Sequence, residues 1–210
     1  MEITWLGHSA LQIRGAQVTL ITDPYADTLG ISMGRREADV VTVSNPHPHH
    51  SNAAGIDGDP RVITGPGEYE VANFYINGFG TRGQELEGDR QVNTVYTYRA
   101  EGLTLCHLGD LSANPTPTEV NEISQADVLF APAGGVCTLD ASRIAQLVRT
   151  IEPRILVPVH YRYDDVDVEL DPLEKLLNEF GITELSPQPR LNVTATNLPA
   201  ELRVTALQIR

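Results

Sequence analysis

Val41-Thr42-Val43-Ser44-Asn45-Pro46-His47-Pro48-His49-His50-Ser51 runs from an apolar, β-branched strand straight into a proline-stiffened loop that carries three of the chain's six histidines. Loops at strand ends are where side chains from a rigid scaffold converge on a site. Imidazoles gathered this closely repel one another when protonated, whereas the neutral ring is the commonest metal ligand, so a divalent ion would resolve the arrangement favourably. The bland counterpart is an exposed polar loop whose histidines bind nothing.

Two more strand ends carry ligand-type side chains. Leu103-Thr-Leu-Cys-His-Leu-Gly-Asp110 closes an apolar run with a carboxylate just after a glycine, and Leu156-Val-Pro-Val-His-Tyr161 delivers His160 at the end of another. Taken singly, Asp110 reads as an ordinary turn residue and His160 as a satisfied core histidine. Three strand ends bearing His or Asp together point to a metal site.

Around these segments, short runs bounded by turn residues predict strands at 2–6, 11–13, 17–22, 39–44, 61–63, 68–76, 92–99, 102–107, 127–132 and 154–159. Arg14-Gly15-Ala16-Gln17, Gly65-Pro66-Gly67 and Gly88-Asp89 read as turns. Ile144, Leu147, Val148 and Ile151 recur at helical spacing behind Asp140, which predicts a capped helix over 139–151; shorter helices are expected at 118–124 and 171–180, the last stopping at Gly181. The C-terminal stretch 190–210 alternates as two edge strands. Many strands followed by strand–helix pairs fit helices packed outside two sheets in one domain spanning 1–210.

Composition narrows the partners. Hydrophobic residues make up 41% of 210, enough for a packed core, and Lys plus Arg total 15 against 28 Asp plus Glu, a net charge of −13. That surface repels nucleic acid and anionic membranes and leaves a small-molecule substrate as the expected partner. Cys106 and Cys137 lie in no C-x-x-C pair and predict buried thiols, neither in a setting that would stabilise a thiolate. The first residues lack a basic leader and no run reaches the roughly 18 apolar residues of a membrane span, so a cytoplasmic protein is expected. No apolar stripe announces a subunit interface, which leaves oligomeric state open.

Ile3-Thr-Trp-Leu-Gly-His-Ser9, Thr22-Asp-Pro24, the loop 44–51, Gly65-Pro-Gly-Glu-Tyr-Glu70, His107-Leu-Gly-Asp110 and Pro158-Val-His160 together resemble the metallo-β-lactamase superfamily, in its branch of small Zn-dependent hydrolases similar to ascorbate-6-phosphate lactonase. The resemblance implies an α+β fold, a four-layer αββα sandwich with the metal site at one edge between the sheets. The family loop reads H-x-H-x-D-H; this chain has Asn45 in place of the first histidine and His49 in place of the aspartate. Gly83 falls where a further family histidine belongs.

Carried over residue by residue, the first family ion keeps only His47 and Asp110, while the second keeps His50, His160 and Asp110, with His49 as a substitute ligand. The expectation is one ion held by His50, His160 and Asp110 with help from His47 or His49, Zn²⁺ by donor type, with Fe, Mn or Ni also admitted. Asp110 and His49 become the implied catalytic pair, His49 taking over proton transfer if it is not a ligand. Asp23 corresponds to a family aspartate that orients a ligand histidine, or else simply opens the turn before Pro24. His8 resembles a position near the site mouth, or else packs under the first hairpin; Glu68 and Glu70 reach the cleft only by resemblance, and His107 fills space on its strand. The implied activity is hydrolysis of a small ester, lactone or phosphoester by metal-activated water. The alternative is a degenerate member that keeps the sandwich as a binding or scaffolding protein.

Overall fold

The strands at 2–7, 10–14, 19–22 and 40–43 are largely apolar because both of their faces are covered. The structure, a computed structural model, describes residues 1–86, 89–164 and 166–210, leaving aside the side chains of 83–86 and 89–91. In chain order the first group is β1 (Glu2–Gly7), β2 (Ala10–Arg14), β3 (Thr19–Thr22), β4 (Arg36–Glu37), β5 (Val40–Val43), β6 (Ile56–Asp57) and β7 (Arg61–Thr64). The second group is β8 (Gly67–Val71), β9 (Phe74–Leu86), β10 (Asp89–Ala100), β11 (Leu103–His107), α1 (Pro117–Ile123), β12 (Val128–Pro132), α2 (Ala141–Ile151), β13 (Ile155–Val159), α3 (Glu174–Glu179), β14 (Leu191–Asn192) and β15 (Arg203–Val204).

The strands form a six-stranded sheet, β14-β1-β2-β3-β5-β7, a seven-stranded sheet, β15-β13-β12-β11-β10-β9-β8, and a β4-β6 ribbon. Each large sheet repeats one plan: antiparallel hairpins first (β1-β2-β3, then β9-β10-β11), followed by strands added in parallel (β5 and β7, then β12 and β13). Successive residues of a strand point to opposite faces. Ile3, Trp5, Leu11, Ile13, Leu20, Val40 and Ile63 therefore enter the core shared with the second sheet. Leu6, Ala10, Ile21, Val41 and Val43 build a separate outer cluster with Tyr25, Leu29, Met33 and Ile56. On that outer side the cover includes short 3₁₀ turns at Asp27–Leu29 and Ala53–Gly55, whereas the buried residues of α1, α2 and α3 join the main core. The metallo-β-lactamase fold expected from the resemblance is the one observed, with two facing sheets at its centre.

Polar clasps cross between the sheets. Tyr98 Oη and Thr42 Oγ1 share a hydrogen bond of 2.8 Å, and Tyr96 Oη donates to the β5 and β7 ends, 3.1 Å from the Val43 and Gly65 carbonyls.

Several local expectations change. The run 68–76 is not one strand: Ala72 and Asn73, at φ 45° and 67°, form a reverse turn between β8 and β9. Strand β9 then extends through the Gly-rich 77–86 region that hydropathy leaves unread. A Cβ at Gly78 would stand 2.7 Å from the Tyr96 ring on the paired strand, so glycine there makes room for the aromatic clasp. Helix α3 begins at Glu174, later than expected, because Asp171 spends its N–H on Gly134 O and its carbonyl on Arg162 N. It ends ahead of Gly181 at φ 68°, in the left-handed conformation expected there. Asp140 caps α2 by accepting from Arg143 N. β14 and β15 are indeed edge strands, of different sheets. Gly88 of the expected Gly88-Asp89 turn lies outside the described residues.

Candidate metal centre

Each centre residue enters from the carboxyl end of a strand. His8 follows β1, Asp23 follows β3, Asn45 and the histidine loop follow β5, Asp110 follows β11, and His160 follows β13. His8, Asp23 and His160 sit in left-handed backbone at φ 50°, 41° and 52°, a conformation uncommon outside glycine and one that accumulates at functional sites. Asp110 is preceded by Gly109 at φ 56°, where any Cβ would run into Ser44 at 2.6 Å.

Asp110 stands at the middle. Its Oδ2 lies 3.0 Å from His50 Nε2 and accepts from Asn45 Nδ2 at 3.2 Å. Its Oδ1 lies 3.3 Å from His160 Nε2 but off the hydrogen-bond direction, so that buried oxygen has no hydrogen-bond partner among the described residues. Behind it, Asp23 Oδ1 and Oδ2 accept from Ser44 N and Oγ at 2.7 and 2.6 Å, and Oδ2 meets His50 Nδ1 at 3.0 Å. That contact places the Nδ1 proton toward Asp23 and leaves Nε2 aimed at Asp110.

The three loop histidines part company. His50 is buried, His49 half-buried and His47 exposed, because the loop turns back on itself: His47 N donates to Asn45 Oδ1 at 3.0 Å, His49 N to His47 Nδ1 at 3.2 Å, and His50 N to His47 O at 2.8 Å. His8 is buried, its ring centroid 4.1 Å from that of His160 and 5.0 Å from that of His50. One ring nitrogen from each of His8, His50 and His160 lies within 4.8 Å of the others. Thus His8, which the sequence leaves between the site mouth and hairpin packing, stands beside His50 and His160, while His47 and His49 form the rim.

Burial and charge set the protonation states of these groups. For His50, burial disfavours the imidazolium, but the Asp110 and Asp23 carboxylates outweigh it and push its pKa to about 10. Burial by itself would raise the Asp110 pKa; the facing His50 and His160 hold it far below the usual carboxylate range. Burial lowers His160 to about 4 and takes His8 well below its ordinary value, with the neighbouring histidines adding to the effect at His8. His47 and His49 are lowered by partial burial and then by adjacent histidines.

Two residues without a role in the sequence reading, Asn93 and Tyr163, complete the setting beside several that had one. Asn93, fully buried at the start of the inward part of β10, accepts from Asp110 N at 2.9 Å and donates to Thr81 Oγ1 and Leu108 O, both at 2.9 Å. A polar amide inside an apolar strand run was its only sequence signal. Tyr163 Oη accepts from His8 N at 3.1 Å. Cys137 Sγ is 4.0 Å from His160 Nε2, and burial raises its thiol to about 12, so it stays protonated; Cys106 is buried in the core. His107 Nε2 meets Ser9 O at 3.0 Å while Nδ1 accepts from Gly109 N at 3.2 Å, a neutral, satisfied core histidine. Glu68 and Glu70 are exposed on the edge strand β8, and Gly83 falls where side chains are not described. Beside Asn45 opens a cleft of about 620 Å³ lined by Val43, Pro46, Val62, Pro66, Val92 and Thr94 among others, with no charged side chain among the described lining.

Two mixed sheets with histidines and carboxylates gathered at their strand ends define a β-sandwich with a candidate metal centre. The chain belongs to the beta-lactamase superfamily, whose domain matches residues 2–160. A UPF0173 protein of Pyrococcus furiosus is 31% identical over 191 residues, 80% of this chain and 88% of its own length. A UPF0173 metal-dependent hydrolase of Nanoarchaeum equitans is 28% identical, covering 83% of this chain and 89% of its own. A Thermotoga maritima crystal structure, described as a Zn-dependent hydrolase of the metallo-β-lactamase superfamily, aligns with a TM-score of 0.78 at 30% identity over 99% of this chain and 98% of that one.

Proposed function

We propose that this chain is a metal-dependent hydrolase of small esters, lactones or phosphoesters that works with a single divalent ion held by His50, His160 and Asp110. The observation carrying this reading is the Asp110 carboxylate, which lies 3.0 Å from His50 Nε2 and 3.3 Å from His160 Nε2 and has one buried oxygen without a hydrogen-bond partner among the described residues. The donor set fits a transition ion: imidazole nitrogens and one carboxylate suit Zn²⁺, and Fe, Mn or Ni by the same chemistry. In the metal-free protein, a proton on His50 Nε2 occupies the lone pair an ion needs, so loading releases it. When bound, the ion supplies Lewis-acid polarisation and lowers the pKa of water.

The chain's own residues do the rest. Asp23 fixes the His50 tautomer and Asn45 pins Asp110 Oδ2. An amide nitrogen that donates has no lone pair for metal, so Asn45 favours one ion over two. His49, half-buried and kept neutral by its lowered pKa, is placed to accept a proton at the rim. The uncharged cleft beside Asn45 favours esters and lactones over phosphoesters, and the net charge of −13 disfavours nucleic acid and anionic membranes as partners. No helix among the described residues is long and apolar enough to cross a membrane, and a cytoplasmic location is part of this proposal.

Metal analysis of protein purified from supplemented medium tests the reading. About one equivalent of transition metal is expected, lost together with hydrolysis of a lactone, thioester and phosphodiester panel in Asp110→Ala and His160→Ala; below roughly 0.1 equivalent, the scaffolding alternative stands instead.

A further inference from the structure

We propose that His8 is the third nitrogen ligand of this centre, so that His8, His50 and His160 hold the ion with Asp110 while His47 and His49 stay outside its coordination shell. This rests on reading the site as a metal centre. The carrying observation is the packing of three buried imidazoles with one nitrogen from each inside a 4.8 Å span, on rings held at centroid distances of 4.1 to 5.6 Å. Nitrogens on one tetrahedral Zn²⁺, each at about 2.0–2.1 Å from it, stand about 3.3–3.4 Å apart, so the trio, now within 4.8 Å, closes by up to about 1.4 Å on binding.

His8 is built for more than filling. Its Nδ1 is buried and has no hydrogen-bond partner among the described residues, as is His160 Nδ1. Buried polar atoms are nearly always satisfied, and exceptions call for a ligand or another explanation. The His8 backbone is clamped on both sides: its carbonyl accepts from Trp5 Nε1 at 2.8 Å and from His160 N at 2.9 Å, and its N–H donates to Tyr163 Oη at 3.1 Å. The backbone link to His160 ties two of the three imidazoles into one unit, in the left-handed conformation that orients both.

The loop histidines lack these properties. His47 is exposed, uses Nδ1 to accept from His49 N, and its centroid is 6.4 Å from that of His50. His49 is half-buried with its centroid 5.8 Å from His8. A nitrogen from the β1–β2 turn thus replaces the loop carboxylate that the family pattern places at position 49. Three neutral imidazoles with one carboxylate favour a divalent first-row transition ion over Mg²⁺ or Ca²⁺, which prefer oxygen.

Ring ¹⁵N NMR of the full chain during Zn²⁺ titration, joined to metal quantification, decides the matter. Three histidine rings are expected to shift to metal-bound positions at one equivalent, one of them missing in His8→Gln, which should bind Zn²⁺ at least tenfold more weakly. His47→Ala and His49→Ala should each keep three shifted rings and wild-type affinity. A His8→Gln protein that retains affinity and the three shifted rings overturns the proposal, as does loss of a shifted ring in His49→Ala. If His8→Gln does not fold, the count in the wild type and in the two loop variants still decides. Wild-type protein that binds no Zn²⁺ overturns the metal reading itself, a result distinct from a loaded centre without His8.

Discussion

Gly109 shows how closely this centre depends on single atoms. At φ 56°, with Ser44 and Asn93 crowding the place a Cβ would take, it lets β11 turn out and present Asp110. Gly109→Ala is expected to destabilise by about 2–4 kcal/mol, combining left-handed strain with overpacking, and to weaken metal retention; urea unfolding and metal content measure the two effects. His50, Asp110 and His160, which the structure brings together, were legible as candidates because each is a ligand-type side chain at a strand end. The place of His8 was not, since spacing says nothing of the left-handed turn that sends its ring toward His160. Nor was the sorting of His47, His49 and His50, which depends on hydrogen bonds inside the loop. Asn93 was hidden in a strand, its partners coming from β9 and the end of β11.

Elements were readable wherever burial imposes a period. The first sheet's strands stand out because one face fills the inter-sheet core and the other the outer cluster, and α2 because its apolar stripe follows a side-chain cap. Beyond Ile76, β9 escapes hydropathy patterning and is read as a strand only through the family resemblance, because a glycine such as Gly78 gives up its side chain to the Tyr96 ring of the paired strand. Cross-sheet clasps belong to this scale as well. Tyr98→Phe removes the 2.8 Å contact and strands the buried Thr42 hydroxyl, so a loss of about 1–3 kcal/mol is expected in denaturant unfolding, with little change in metal content.

At the scale of the molecule, the titrations work in opposite directions in metal-free protein. His50 is raised to about 10, so its contribution is fully present below the unfolded value of 6.5 and is lost as pH rises toward 10. His160, lowered to about 4, leaves the unfolded chain binding the extra proton between 4 and 6.5, so stability rises with pH across that window and is lost as pH drops through it; buried His8 adds in the same direction. The midpoint of thermal unfolding of the apo-protein is therefore expected to peak near pH 6.5 and decline on either side, as scanning calorimetry in EDTA would record. The centre also draws its proposed ligands from positions 8, 50, 110 and 160, contributed by both sheets. An ion joining them closes loops of roughly forty to sixty residues, whose entropy grows only slowly with length. Such a crosslink forms only after the two sheets have docked, so it acts as a latch: it slows escape from the native state and does little to hasten arrival.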